Sequence, residues 1–143
     1  MTSARTLSVE DMRTGHIAVI ENVPVAAERW VDEHYVHHDP LTPETESVRS
    51  RAQYVEAFGA FYEAVPDQVT VAEHVMVEGD YSAARWRFTG THTGSLRGME
   101  PTNNKIDYYG MTMYRWSNGQ IAEGWTLFDV LGFYGQLGIG AAQ

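Results

Sequence analysis

One stretch constrains the fold of this 143-residue chain more than any other: IDYYGMTMYRWSNGQIAEGWTLFDVLGFYGQLG, residues 106–138. Two runs of strand length are joined through Asn118-Gly119, a dipeptide that favours tight reversal between alternating segments, and a short apolar tail follows. Small residues (Gly110, Thr112, Gly124, Thr126) lie among bulky ones (Tyr108, Trp125, Phe128). A strand face so composed leaves room as well as filling it, and the expectation is a cavity beside this hairpin.

The turn chemistry allows two registers. A two-residue turn pairs Trp116 with Ile121 and sets Thr112 opposite Trp125. A three-residue turn with glycine in a G1 bulge pairs Trp116 with Gln120, so that Gly110 faces Thr126, Tyr108 faces Phe128 and Thr112 faces Gly124. Asp107 and Asp129 then share the opposite face. Ser117-Asn118-Gly119 favours the second, since it suits a type I turn followed by a left-handed glycine. A one-residue slip exchanges the faces, so the cavity lining depends on this choice.

Upstream, residues 1–15 are polar and end in glycine, which predicts a flexible arm before a single domain spanning 16–143. Apolar positions at Ile17, Ile20, Val23, Ala27, Trp30 and Val31 predict two helical pieces bent at Pro24, the second over Val25 to His34. Tyr35 to Pro40 reads as an extended turn, because a residue before proline is pushed out of the helical region. Residues 40–47 read as loop. Tyr54, Val55, Phe58, Phe61 and Tyr62 share a helical face over 51–64, which Pro66-Asp67 ends. Val69, Val71, Val75 and Val77 then alternate along a strand, Gly79-Asp80 turns, and Ser82 to His92 returns as its antiparallel partner. Residues 94–104 form a loop. Helices followed by long antiparallel strands define an α+β domain, a curved antiparallel sheet covered by N-terminal helices around an internal pocket.

Composition removes several functions. A chain of this length buries roughly 68% of its unfolded surface in one core. Ten basic and 19 acidic residues give a net charge of −9, the wrong sign for phosphate recognition, and nucleic acid is not expected as a partner. The absence of cysteine excludes disulfides, thiol catalysis and thiolate metal sites. No apolar run approaches the ~20 residues that span a bilayer, and no signal-peptide core opens the chain, so a soluble cytoplasmic protein is expected.

Five segments in order carry a family resemblance: Phe88-Thr-Gly-Thr-His-Thr-Gly94, Gly98-Met-Glu-Pro-Thr102, Asn118-Gly119-Gln-Ile121, Trp125 to Asp129, and Gln136-Leu137-Gly138. Together they resemble the SnoaL-like polyketide cyclases over Trp30 to Gly138. The resemblance implies the cone-shaped NTF2-like fold, an oligomer, and intramolecular aldol closure of aromatic polyketides without metal or organic cofactor. It also implies an acid in the last strand and a histidine on its neighbour. Those positions correspond here to Thr126 and Thr112, neither of which is an acid or base at neutral pH. Members of anthracycline pathways regarded as hydroxylases of the polycyclic nucleus belong to the same family. Loss of the acid pair fits that divergence.

The expected function is therefore cofactor-independent hydroxylation of a polycyclic aromatic, anthracycline-type substrate, with a separate reductase as a partner. Aldol cyclisation is the alternative, and a non-catalytic small-molecule binding module the second. Asp107, Asp129 and His92 are the catalytic candidates. Asp107 also reads as a solvated strand-end charge, Asp129 as the cap of the helical turn 130–136, and His92 as a strand-end hydrogen-bonding group. Trp86, Phe88, Tyr108 and Phe128 are candidate flat walls, with Thr112, Thr126, His38 and Arg97 as further substrate contacts. His37, His38 and Asp39 form no metal site in this reading, because adjacent side chains on extended chain diverge. Met111 and Met113 alternate on the face away from the pocket and mark a candidate contact between copies.

Overall fold

The computed structural model describes residues 7–138, apart from the side chains of 43 and 44. Five helices and five strands follow in the order α1 Val9–Glu21, α2 Val23–Trp30, β1 Val31–His38, α3 Pro43–Glu46, α4 Arg51–Ala64, β2 Val69–Glu78, β3 Tyr81–Thr91, β4 Lys105–Ser117, β5 Gln120–Phe128 and α5 Val130–Gln136. The strands form one open sheet in the order β1-β5-β4-β3-β2. Four of them are antiparallel neighbours, as expected, but β1 adds to β5 in parallel, so the sheet is mixed.

Two segments differ from the sequence expectation near the N-terminus. The polar arm is helical from Val9, where Ser8 and Asp11 form a reciprocal capping box and Met12 is buried. Residues 1–6 of the expected arm lie outside the described residues. The second helix ends at Trp30 rather than His34, because Val31 to His38 is captured as a strand by the free edge of β5, an interaction between segments nearly 90 residues apart that local periodicity does not report.

The central hairpin adopts neither expected register along its length. Asn118 and Gly119 both have positive φ, and Trp116 pairs with Ile121, as in a two-residue turn. A bulge at Ala122 then shifts the pairing by one residue, so that Arg115 faces Glu123, Thr112 faces Thr126 and Gly110 faces Phe128. The extra residue returns Gly124, Thr126 and Phe128 to the same face as Tyr108, Gly110 and Thr112. The grouping expected from the three-residue turn thus survives, although its individual pairs do not.

A second bulge lies in β2 at His74, whose φ is 52°. It reverses the pleat within the strand: Val69 and Val71 face solvent while Val75 and Val77 turn inward. The valines expected on one face are divided between two. The Arg13 guanidinium from α1 donates to the Val75 carbonyl at 2.7 Å and ties the helix to the irregular segment.

The inner face of the sheet packs against α1, α2 and α4 around a core that includes Val19, Trp30, Tyr35, Tyr54, Phe61, Trp86, Tyr108 and Tyr114. The two glycines expected to leave space are occupied positions. A Cβ on Gly110 would meet the Trp86 ring at 2.2 Å, and one on Gly124 would meet the Tyr35 hydroxyl at the same distance. Glycine there admits an aromatic side chain from a neighbouring strand, not a ligand. At the far end α5 places Phe133 against Phe61, Tyr108 and Phe128.

Candidate active site

Between the sheet and α4 lies a cavity of about 70 Å³. Its sheet side is built by alternate residues of β3, β4 and β5: Trp86, Phe88, Tyr108, Thr112, Thr126 and Phe128. Opposite them stand Tyr54, Phe58, Phe61 and Tyr62 of α4, with Ile20 and Val23 beside them. Edge-on and tilted contacts hold the aromatic wall, with Tyr108 5.8 Å from Trp86, 5.2 Å from Phe88 and 5.5 Å from Phe128, centroid to centroid.

Besides the phenols of Tyr54, Tyr62 and Tyr108, and Thr70 of β2, whose hydroxyl donates to Gln68, the polar groups of the lining fall in two sets. On the sheet, the Trp86 indole N–H donates to Thr112 Oγ1 at 2.9 Å, and Thr112 and Thr126 hydroxyls are hydrogen-bonded to each other at 2.9 Å. These are the positions where the family resemblance places a histidine and an acid. The second set comes from the segment after β1, where Asp39, Thr42 and Thr45 enter the lining. Asp39 is 1% exposed, and its Oδ2 accepts from the Thr45 hydroxyl at 2.8 Å. Its Oδ1 and the Thr42 hydroxyl are buried without a hydrogen-bond partner among the described residues.

Asp39 is the one carboxyl among the described lining residues. Removal from water raises its pKa above the ordinary 3.8, against the opposing pull of the Thr45 hydroxyl that donates to Oδ2. Burial likewise raises the phenols of Tyr54, Tyr62 and Tyr108, so these rings are neutral donors near pH 7. A carboxyl whose charge is poorly solvated and whose second oxygen is uncommitted suits proton transfer to and from a bound ligand.

The three expected catalytic groups lie elsewhere and are each engaged. Asp107 is on the outer face, where Arg87 Nε and Nη2 donate to its two oxygens at 2.9 and 2.6 Å and hold its pKa below the usual carboxylate value. Asp129 caps α5 by accepting from the Gly132 amide at 2.9 Å. His92 is fully buried at the end of β3, where its Nδ1 accepts from the Thr102 amide at 3.2 Å and lies 3.0 Å from the Thr102 hydroxyl, closing the 93–104 loop.

Of the expected ligand contacts, six line the cavity and two do not. His38 sits on the outer face, stacked on Trp125 and 2.6 Å from Glu123 Oε2, because strand alternation sends His37 inward beside Tyr54 and Phe58. Arg97 is exposed, its guanidinium over the Phe61 ring. No group of three or more His, Asp or Glu side chains suited to a metal occurs among the described residues. Asp39, Thr42 and Thr45 were not expected in the site. The only sequence signal for them is the extended chain before Pro40, which swings residues 39–45 back over the sheet.

An open, helix-covered sheet with an aromatic cavity defines an α+β cone of the NTF2-like class. The model of the SnoaL-like polyketide cyclase family matches residues 10–137, and the chain belongs to that family. Solved structures agree in fold. A candidate SnoaL-like polyketide cyclase from Jannaschia sp. CCS1 superposes with a TM-score of 0.80 at 18% identity, covering 99% of this chain and 100% of its own. A candidate polyketide cyclase from Acidithiobacillus ferrooxidans gives 0.73 at 26% identity, over 92% and 97%. AclR from Streptomyces galilaeus, a candidate hydroxylase, gives 0.75 at 21%, over 92% and 98%. No curated protein is a significant match to the chain.

Proposed function

We propose that this protein is an acid–base enzyme of aromatic polyketide tailoring that hydroxylates a reduced polycyclic substrate with dioxygen, using Asp39 as the base. The observation that carries the reading is the buried oxygen without a hydrogen-bond partner on Asp39, a residue that lines an aromatic-walled cavity. Asp39 takes a proton from a dihydroquinone-type ring, and the electron-rich anion reacts with dioxygen to form a C–O bond. Protonation by Asp39 gives a ring hydroperoxide. Cleavage of its O–O bond leaves one oxygen on the ring and releases the other as water, while the dihydroquinone supplies two electrons and becomes the quinone. Dihydroquinone and dioxygen thus balance hydroxyquinone and water. A separate reductase that supplies the dihydroquinone is the partner this chemistry calls for. The cavity of about 70 Å³ is smaller than such a ring system, so the protein's own work is parting the aromatic wall to admit it, orientation and movement of one proton. Asp107, Asp129 and His92, engaged by Arg87, α5 and Thr102, take no part in it.

Incubation with a chemically reduced anthracyclinone under ¹⁸O₂ tests the reaction. One labelled oxygen is expected in the product, and product formed equally without oxygen rules hydroxylation out. One observation favours aldol cyclisation as a second reading: Asp39 restores to the cavity the carboxyl that Thr112 and Thr126 lack, and enolate formation also begins that reaction. Ring closure in the absence of oxygen is its signature. A pure binding module would hold the ring without turning it over. Self-association through the outer sheet face belongs to the same proposal, since Met111, Met113, Tyr109 and Leu127 are exposed there.

A further inference from the structure

The Trp86–Thr112–Thr126 cluster has a count of protons that does not close. An indole N–H only donates, and each threonine hydroxyl brings one proton. Three protons therefore serve two internal bonds, Trp86 to Thr112 and the bond between the threonines. Whichever threonine donates to the other, one hydroxyl proton remains. Neither hydroxyl has another partner among the described residues, both are buried at 3% and 4% exposure, and both line the cavity. In either direction the threonine that keeps its proton itself accepts a hydrogen bond, which polarises its O–H, so the remaining proton is a strengthened donor.

We infer that the Thr112–Thr126 pair is the specificity-determining hydrogen-bond donor of the cavity, and that its ring-shaped ligand carries a ketone or quinone oxygen that accepts from it. The inference rests on the cavity being the substrate site. It gives the two polar sets complementary tasks. When Asp39 removes the proton of the reduced ring, the electron pair left behind spreads by conjugation to that oxygen, and the donor meets the negative charge where it develops. Apolar rings without an acceptor leave the buried proton unpaired and bind less well.

Binding of 1-tetralone and of tetralin, which share a ring shape but differ by one carbonyl oxygen, tests this on the full-length chain. Wild type is expected to prefer tetralone by roughly fivefold or more, about one hydrogen bond's worth. Thr126→Ser keeps the preference. In Thr112→Val/Thr126→Val the ratio falls to near one with tetralin affinity unchanged, which also reports that the variant is folded. In ¹⁵N-labelled wild type the Trp86 indole N–H resonance moves downfield with tetralone and not with tetralin, as the relay tightens, and this readout decides the matter should the double variant not fold. Equal affinity for both ligands in wild type, or a preference that survives in the double variant, overturns the inference and leaves the ring-binding cavity standing. Failure of both ligands to bind overturns the two together.

Discussion

Asp39 makes opposite demands on stability and activity. Its pKa is raised in the fold, so the folded state holds a proton that the unfolded chain has released, and stability falls as pH climbs above 3.8 through the raised value. Asp39→Asn is expected to unfold at equal or higher urea concentration than wild type at pH 7, while losing roughly 10²-fold or more in turnover, the scale of a missing general base. The activity of wild type should rise with pH through the Asp39 titration, since the ionised form is the proposed base. His16 and His37 act with the reverse sign. Burial lowers both from 6.5 to about 3, with the neighbouring charges of His38 and Arg49 adding to the effect at His37. Below pH 6.5 the unfolded chain takes up protons that these buried rings refuse, and stability falls with pH. Between pH 7 and pH 4.5 the loss is roughly 2–3 kcal/mol per histidine. Urea midpoints at the two pH values measure it, and His16→Gln should flatten the dependence. The aromatic and threonine lining was legible in the sequence because strand alternation alone groups Trp86 with Phe88 and Tyr108 with Thr112. Asp39 was not, because its place depends on where the chain after β1 travels, and no periodicity encodes that path.

At the level of elements, the bulge at Ala122 decides which residues the cavity sees. Regular pairing of all residues from the two-residue turn would carry Gly124, Thr126 and Phe128 to the outer face. Deletion of Ala122 alone removes the extra residue and is expected to leave a folded chain with the same lining, whereas deletion of Ala122 and Glu123 together reverses the faces and is expected to abolish folding, as circular dichroism would report. A hairpin was readable from Asn118-Gly119, but a bulge has no local signature beyond a residue too many, and tertiary packing selects its position. The fit of Tyr35 over Gly124 provides a finer test. Gly124→Ala places a methyl group 2.2 Å from the Tyr35 hydroxyl and is expected to cost roughly 1–3 kcal/mol, the range of overpacked cores. Tyr35→Phe in the same chain removes the clashing atom and should recover part of that loss, although the Tyr114 ring remains close. Thermal unfolding of the single and double variants separates steric conflict from a general dislike of alanine in the strand. The parallel capture of β1 by β5 escaped the sequence for the same reason as Asp39: both depend on contacts between distant segments.

The whole molecule has two faces with different tasks. Its inner face, with the helices, shapes the cavity. The outer face leaves Met111 55% and Met113 38% exposed among Val69, Val71 and Leu127, more apolar surface than a solitary sheet needs. Sedimentation equilibrium is expected to give an assembly above the 16.1 kDa monomer, and Met111→Glu to reduce it without changing ligand binding. Among the described residues no helix is long and apolar enough to cross a membrane. The fold class was readable as a whole because the order of helices and strands and the five family segments all pointed to one architecture. The proposed reacting group was not, because the resemblance places an acid and a histidine at Thr126 and Thr112, whereas Asp39 enters the lining from the segment after β1. The most direct measurement is therefore oxygen consumption with a reduced anthracyclinone by wild type, Asp39→Asn and Asp107→Asn. A rate reduced by roughly 10²-fold or more is expected in Asp39→Asn, and an unchanged rate in Asp107→Asn. A wild-type rate in Asp39→Asn would contradict the proposed role of Asp39.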